Sequence, residues 1–291
     1  MKHFLVTGGA GFIGTNLCEY LVSLGHSVTS LDNYSTGKKR NHIRDVNYIE
    51  GNTKDIFKIF ETVEGRFDCI FHLGEYSKIC PSFDDYDIVM DTNLCGTSKV
   101  IDYCLKTKIK IIYAGSSTKY ADEGPEHSPY SFTKYINTEI IKNSARWFDL
   151  KYSICYFYNN YGPRQSTCND GWETVISIFE KQLKNDQNLT VVSPGEQERN
   201  YTHVKDTVQG LYKSYLYNEN DEFQLMNTKA YTLFDLVAMF NRPYILIPSR
   251  KGDRIKASLE SLEQAKVTQN KLNWKTKNNL EDWIKNMEIY K

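Results

Sequence analysis

Apolar residues along this chain follow two rhythms. Short runs at Phe4–Val6, Val28–Leu31, Asn47–Ile49, Cys69–His72, Ile111–Ala114 and Ser153–Tyr158 have the length and character of strands buried on both faces. Between them the apolar positions recur at helical spacing. Ile13, Leu17, Leu21 and Leu24 mark one helix; Leu94, Thr97, Val100, Ile101 and Cys104 mark another over 93–105. A third, over 130–148, carries Phe132, Ile136, Ile140 and Trp147 on one face with Tyr135 beside them. Strand and helix in alternation predict an α/β fold, a doubly wound parallel sheet covered on both faces.

After Gly162-Pro163 the pattern loosens. Short strands (Leu189–Val192, Phe223–Asn227, Tyr244–Pro248) mix with helices, one opening at Thr232 with Asp235 in capping-box spacing, and an amphipathic helix spans Leu280–Ile289. With no linker, repeat or low-complexity tract, a second, smaller mixed α/β domain is expected to pack directly on the first. The boundaries read as 1–160 and 161–291. The amphipathic helices over 93–105 and 130–148 are expected to pack on the sheet and also to pair with a second copy, giving a homodimer.

Composition narrows the function classes. The 291 residues carry 36 Lys plus Arg against 36 Asp plus Glu, so formal net charge is zero, which speaks against a nucleic-acid or membrane-surface partner. No apolar run approaches ~18 residues, and no signal peptide precedes the first strand, so a soluble cytoplasmic protein is expected. The seven cysteines (18, 69, 80, 95, 104, 155 and 168) form no C-x-x-C pair and lie mostly in apolar runs. They read as reduced, buried thiols rather than disulfides or metal ligands, and the sequons at Asn33, Asn188 and Asn200 carry no weight there.

The chemistry starts at residues 4–14. The Phe4–Val6 strand runs into Gly9, Gly11 and Gly14, spaced G-x-G-x-x-G, and then into the first helix. Glycine allows the tight turn, the close approach of backbone to a pyrophosphate, and helix-on-strand packing, while the phosphates sit on free N–H groups at the helix start. That context makes the fold Rossmann-type and the ligand a dinucleotide. Asp32 closes the second strand, eighteen residues past Gly14, where a carboxylate bonds a ribose diol and repels a 2′-phosphate; NAD is preferred over NADP. Lys38, Lys39 and Arg40 read as solvated loop charge.

Tyr130 and Lys134 stand four apart at a helix start, hence on one face. A phenol titrates near ~10 in water, and bringing one into use as a base near neutrality takes about 4 kcal/mol. An ammonium one turn away and a positive nicotinamide ring in a dry cleft can supply that. Ser116, at the end of a strand, is placed to bond the substrate oxygen that Tyr130 deprotonates.

With these residues the chain resembles the extended short-chain dehydrogenase/reductase family, and within it the NAD-dependent nucleotide-sugar epimerases and dehydratases. T-G-G-x-G-x-x-G stands at 7–14, D-N-x-S-T-G at 32–37, N-x-x-G-T at 93–97, S-P-Y-x-x-x-K at 128–134 and Y-N-x-Y-G-P-R-Q at 158–165. His72-Leu73-Gly74-Glu75 replaces the family's H-L-A-A. R-N-Y-T-H-V at 199–204 and Arg250-Lys251-Gly252-Asp253 match the family's second half. The resemblance implies a catalytic set of Ser116, Tyr130 and Lys134. It implies a cofactor site of Gly8, Gly11, Phe12, Ile13, Gly14, Asp32, Asn33, Asn52, Thr53, Leu73, Gly74, Asn93 and Phe157, with Tyr130 and Lys134. It implies a nucleotide-sugar site of Ser116, Ser117, Asn159, Arg199 and Arg250, whose guanidinium forks suit phosphate oxygens. His203 and Asp206 read as packing and helix-entry residues.

In the family Tyr130 takes a proton from a sugar hydroxyl, usually at C4, while NAD takes the hydride. Dehydratases follow the catalytic Ser/Thr with Asp-Glu, and decarboxylating relatives keep a glutamate at the second position. Here Ser117 and Thr118 stand there, neither able to act as that acid or base, so a 4-epimerase is expected ahead of a 4,6-dehydratase, a 4-dehydrogenase or reductase, or a non-catalytic NAD-binding regulator. Glu75, where a small residue is usual, reads as a salt-bridged structural carboxylate or, second, as a relocated catalytic acid. Asn52 replaces the usual aspartate of the adenine site, and a short Ser116–Tyr130 interval leaves the sugar open.

Overall fold

The computed structural model describes residues 1–62, 64–120, 124–166, 172–249 and 259–287. The six expected strands form as β1 (His3–Thr7), β2 (Ser27–Asp32), β3 (Val46–Glu50), β4 (Cys69–His72), β5 (Lys110–Ser116) and β6 (Tyr152–Phe157). With Asp221–Leu225 they make one sheet, in the order Asp221–Leu225, β6, β5, β4, β1, β2, β3. Every pair in it is parallel. A strand with helices on both faces must be apolar throughout. In β1, Leu5 enters the core on one face while Phe4 and Val6 enter the core on the other.

Helices α1 (Phe12–Ser23), α2 (Ile56–Ile59), α3 (Tyr86–Val89), α4 (Thr97–Thr107) and α5 (Pro129–Phe148) follow in turn. The helix expected over 93–105 is two pieces: Met90–Gly96 is π-helical and α4 begins after it. The widened ladder leaves the Asn93 carbonyl to accept from Asn137 Nδ2 at 2.8 Å. Ser128 caps α5, its Oγ accepting from the Ser131 N–H at 3.1 Å, and Pro129 supplies the preset first turn. The face that α5 buries is not the apolar one read from the sequence. It is Ser131, Lys134, Asn137, Thr138, Ile141 and Ser144, while Phe132 and Trp147 remain 39% and 66% exposed. The inward face is polar because it walls the site described below.

The later chain adds α6 (Val175–Lys184), α7 (Val204–Leu216), α8 (Leu233–Phe240), α9 (Leu259–Leu272) and α10 (Leu280–Lys285). Its strands form two-stranded pairs, Leu189–Val192 with Tyr244–Ile247 and Arg199–Asn200 with Ala230–Tyr231, around a core that includes Phe179, Tyr201, Leu236 and Phe240. The capping box forms: Thr232 Oγ1 accepts from the Asp235 N–H at 3.0 Å and Asp235 Oδ2 from the Thr232 N–H at 2.7 Å. The boundary expected at residue 160 is not a single cut. Val208, Leu211, Phe223, Leu225 and Leu272 all pack in the core of Phe4 and Val6, because β6 needs a further strand and that face of the sheet a cover. The last helix ends at Lys285, and residues 288 and 289 of the one expected to Ile289 lie outside the described residues.

Candidate active site

The strand order reverses between β1 and β4, and in such sheets ligands bind beyond the carboxyl ends of the strands at that crevice. A cavity of about 960 Å³ opens there. Every strand from β1 to β6 delivers a lining residue at or just past its carboxyl end: Gly8 after β1, Asp32 on β2, Gly51 and Asn52 after β3, Leu73 to Glu75 after β4, Ser116 on β5 and Phe157 on β6. Of the described residues expected in the site, all but Asn93 line it. Asn93 is fully buried away from the cavity, its side chain accepting from the Tyr76 N–H at 2.7 Å and donating to Thr133 at 3.0 Å. Arg250 lies outside the described residues.

At one end the wall is backbone. Gly8 sits at φ +71°, and a Cβ added at Gly14 would stand 2.0 Å from the Gly8 carbonyl oxygen, so helix and turn approach as only glycine permits. No side chain caps α1, which leaves the N–H groups of Phe12, Ile13 and Gly14 directed at the cavity they line. This donor cradle fits a pyrophosphate. Asp32 completes it for the adjoining ribose. Its carboxylate is held by the Ala10 N–H at 2.9 Å and the Tyr34 N–H at 2.8 Å, with lone pairs to spare. Burial raises its pKa despite those two donors. Asn33 Nδ2 donates to Asn52 Oδ1 at 3.0 Å, fixing the two asparagines of that end together. Of the loop cations Lys39, paired with Glu50 at 3.4 Å, and Arg40 are exposed and Lys38 is half-buried; Lys38 and Arg40 also line the cavity.

At the centre α5 sets Tyr130 and Lys134 one turn apart on the cavity wall, opposite the end of β5. Ser116 Oγ accepts from Thr118, whose Oγ1 lies 2.9 Å away, which leaves its own O–H to donate into the cavity. Lys134 Nζ donates to the Ala114 carbonyl and to Glu75 Oε2, lying 4.4 Å above the Tyr113 ring. Glu75 Oε1 accepts from Thr97 at 2.7 Å, Asn137 at 2.8 Å and Tyr113 at 3.1 Å. Both charged side chains are nearly closed to solvent, at 6% and 2% exposure. The support extends one residue further. His72 bridges Thr7 Oγ1 (2.7 Å) and Thr97 Oγ1 (2.8 Å). Thr97 gives its proton to Glu75 and Thr7 accepts from the Leu73 and Gly74 N–H groups, which assigns a neutral His72 carrying its proton on Nε2. Burial pushes the His72 pKa down to about 4, consistent with that form. Glu75 is therefore salt-bridged, the first of its two expected roles, yet it also lines the cavity.

The far end is built from side chains on loops and short strands. Asn159 and Arg199 line it as expected, Asn159 tied to the Asn200 carbonyl at 3.0 Å and Arg199 to that of Glu198 at 2.8 Å. Sequence reasoning missed Lys78, Trp172, Gln197 and Tyr201, which line it too. Tyr76 and Trp172 meet edge to face at 5.0 Å, and Lys78 Nζ donates to the Glu173 carbonyl at 2.8 Å. Tyr201 stood within the 199–204 motif and was findable; nothing local marks Trp172. Arg164, next in the 158–165 motif, closes the seam between the two parts with a bidentate bond to Glu19 at 2.8 and 2.6 Å. His203 caps α7, and Asp206 accepts from the Lys277 and Asn278 N–H groups, as packing and helix-entry residues do.

A UDP-N-acetyl-alpha-D-glucosaminuronate decarboxylase of Bacillus cytotoxicus is 32% identical over 72% of this chain and 69% of its own. The solved UDP-glucose 4-epimerase of Thermotoga maritima, with UDP-glucose, is 27% identical, matches 97% of this chain and 96% of its own, and superposes with a TM-score of 0.87. A dTDP-glucose 4,6-dehydratase of Streptomyces venezuelae, solved with NAD, shares the fold at 20% identity and a TM-score of 0.86 over 99% of this chain and 96% of its own. The family model for NAD dependent epimerases and dehydratases matches residues 4–227, and the chain belongs to that NAD dependent epimerase/dehydratase family.

Proposed function

We propose that this chain is an NAD-dependent nucleotide-sugar 4-epimerase. The observation that carries the reading is the pairing of Glu75 with Lys134. It commits the carboxylate nearest the reacting residues to an ion pair and three further hydrogen bonds, so it is spent as an acid for elimination. Ser117 and Thr118 add only hydroxyls, and Thr118 is bonded to Ser116. A reaction that needs a base but no added acid suits this equipment, and the 27% identical epimerase points the same way.

In this reading NAD, when bound, supplies the two-electron step, accepting a hydride from the sugar carbon and returning it to the other face. Gly8, Gly11, Phe12, Ile13, Gly14 and Asp32 hold it, with Asn33, Asn52 and Thr53 at the adenine end and Leu73, Gly74 and Phe157 toward the reacting end. Tyr130 receives the C4 hydroxyl proton and gives it back, Ser116 donates to the same oxygen, and Lys134, paired with Glu75, keeps one N–H free to donate at that end of the site. Asn159 and Arg199, together with Ser117 and Arg250, bind the nucleotide sugar and keep it while the ketone turns over. We place the enzyme in the cytoplasm as a homodimer joined through the outward faces of α4 and α5, where Phe132 and Trp147 stand exposed. Among the described residues no helix is long and apolar enough to cross a membrane. Light scattering should then return twice the chain mass of 33.8 kDa.

The test is incubation with NAD and UDP-, GDP-, dTDP- and CDP-sugars, read by NMR. A C4 epimer is expected. A 4-keto-6-deoxy product makes the chain a dehydratase, a keto sugar with stoichiometric NADH makes it a dehydrogenase, and tight NAD binding without turnover of any sugar makes it a regulator; each overturns the reading.

A further inference from the structure

The Lys134–Glu75 pair changes the charge of the reacting end of the site. An ammonium alone would make that wall +1. With Glu75 Oε2 on Nζ the pair is neutral, and it is locked: Oε1 is held by Thr97, Tyr113 and Asn137, and Nζ by the Ala114 carbonyl. Two of the three Lys134 N–H bonds are thereby used, leaving one for whatever enters the cavity. A small residue at 75 would spare the carboxylate's desolvation but leave Lys134 buried as an uncompensated charge, so Glu75 decides whether this wall carries a net charge. The titratable groups packed around it, His72 and Tyr113, carry no compensating charge: His72 is held neutral by its two threonines, and burial drives the Tyr113 phenol strongly toward its protonated form.

We propose that Glu75 is a positioning residue that sets the cofactor's redox preference, cancelling the Lys134 charge so that the pocket favours the cationic, oxidised nicotinamide over the neutral, reduced one. The inference rests on the reading of Lys134 as part of the reacting end of an NAD site. A positive ring beside an uncompensated ammonium in a low-dielectric wall is repelled, whereas the neutral reduced ring is indifferent to it. Beside a neutral pair the oxidised form loses that handicap, which suits a cofactor that must be held ready to accept a hydride.

The experiment measures dissociation constants of the full chain, freed of co-purifying nucleotide, for NAD⁺ and for NADH separately. In Glu75→Gln, which keeps size and an acceptor for the Thr97, Tyr113 and Asn137 donors, the ratio Kd(NADH)/Kd(NAD⁺) should fall at least about tenfold. For a two-electron couple that raises the bound potential by about 30 mV. Lys134→Met, which leaves the carboxylate alone, should move the ratio the opposite way. The double variant Glu75→Gln/Lys134→Met, neutral again, should return to the wild-type ratio even though both affinities are lower. That pattern of signs follows charge and not packing, and the Lys134→Met and double variants carry the test if Glu75→Gln does not fold. A ratio in Glu75→Gln within about threefold of wild type, or a double variant that does not return, overturns the proposal. Wild-type protein that binds neither form overturns the cofactor reading instead, a different and visible failure.

Discussion

The two ends of the cavity are made from different material. At the dinucleotide end the decisive groups are backbone: a turn at Gly8, a helix whose first N–H groups have no cap, and a glycine at 14 where a Cβ would collide with a carbonyl. At the far end they are side chains delivered from separate loops and short strands, such as Trp172 against Tyr76, Lys78 on the Glu173 carbonyl and Arg199 beside Tyr201. A backbone site is fixed by a few adjacent residues and tolerates almost no substitution. A side-chain site is assembled from distant positions, each adding a modest share and each replaceable. The first kind suits a ligand common to a whole family, the second a ligand that varies within it.

The largest expected effect lies where the two ends meet. Tyr130→Phe removes the only atom change needed to stop proton transfer, and turnover of whichever sugar proves to be the substrate should fall about a thousandfold or more. NAD affinity should stay within about threefold of wild type, since the phenyl ring still fills its place on the wall. Steady-state kinetics with calorimetry check both halves, and turnover retained within tenfold would refute the base.

Gly14→Ala probes the backbone end. The added Cβ would lie 2.0 Å from the Gly8 oxygen and 2.9 Å from the Gly9 Cα, both main-chain atoms that cannot swing aside. NAD affinity should drop about a hundredfold, some 3 kcal/mol, at little cost to the far end. Arg199→Ala probes that far end: affinity for the nucleotide sugar should fall roughly tenfold, the worth of one charge-assisted contact, with NAD binding unchanged. If Arg199→Ala weakened NAD as much as the sugar nucleotide, the division of the cavity into two kinds of site would be wrong.

This division also explains what could be read from the sequence. The glycine turn, Asp32 and the Tyr130–Lys134 step are local patterns, and each is legible because its partners lie within a turn of helix or the end of one strand. So are the strands β1 to β6, whose apolar runs have no other use. Glu75 was legible as an oddity but not as the partner of Lys134, fifty-nine positions away on another element. Asn93 misled because its motif marks a position in the fold, and the π-helical turn carries its side chain to Tyr76 and Thr133 instead of into the cavity. The apolar face of α5 misled for the opposite reason. A helix that walls an active site buries polar residues, so periodicity there points outward. Trp172 had no local signal at all, since its role depends on a loop packing against Tyr76 across the cavity.

The smallest expected effect tests how far the first region extends. Glu222, on the strand Asp221–Leu225, belongs by sequence to the second half, yet it binds Lys119 at 2.7 Å, Lys142 at 3.0 Å and the Tyr156 hydroxyl, all in the first. Burial pushes its carboxyl pKa up, but the hydrogen bonds from Lys119 and Tyr156 outweigh that and leave it below the ordinary value. A carboxyl lowered in the folded state stabilises the protein above its unfolded pKa of ~4.3 and loses that contribution as pH falls through the folded value. Glu222→Gln should therefore cost about 1 kcal/mol at pH 7, measured by urea unfolding, and the gap to wild type should close as pH falls below about 4. A gap still open near pH 3 would assign the loss to packing. Closure would mean that the edge strand is held partly by charge to α5 and to the turn after β5, making it as much a part of the dinucleotide-binding sheet as the six strands that precede it.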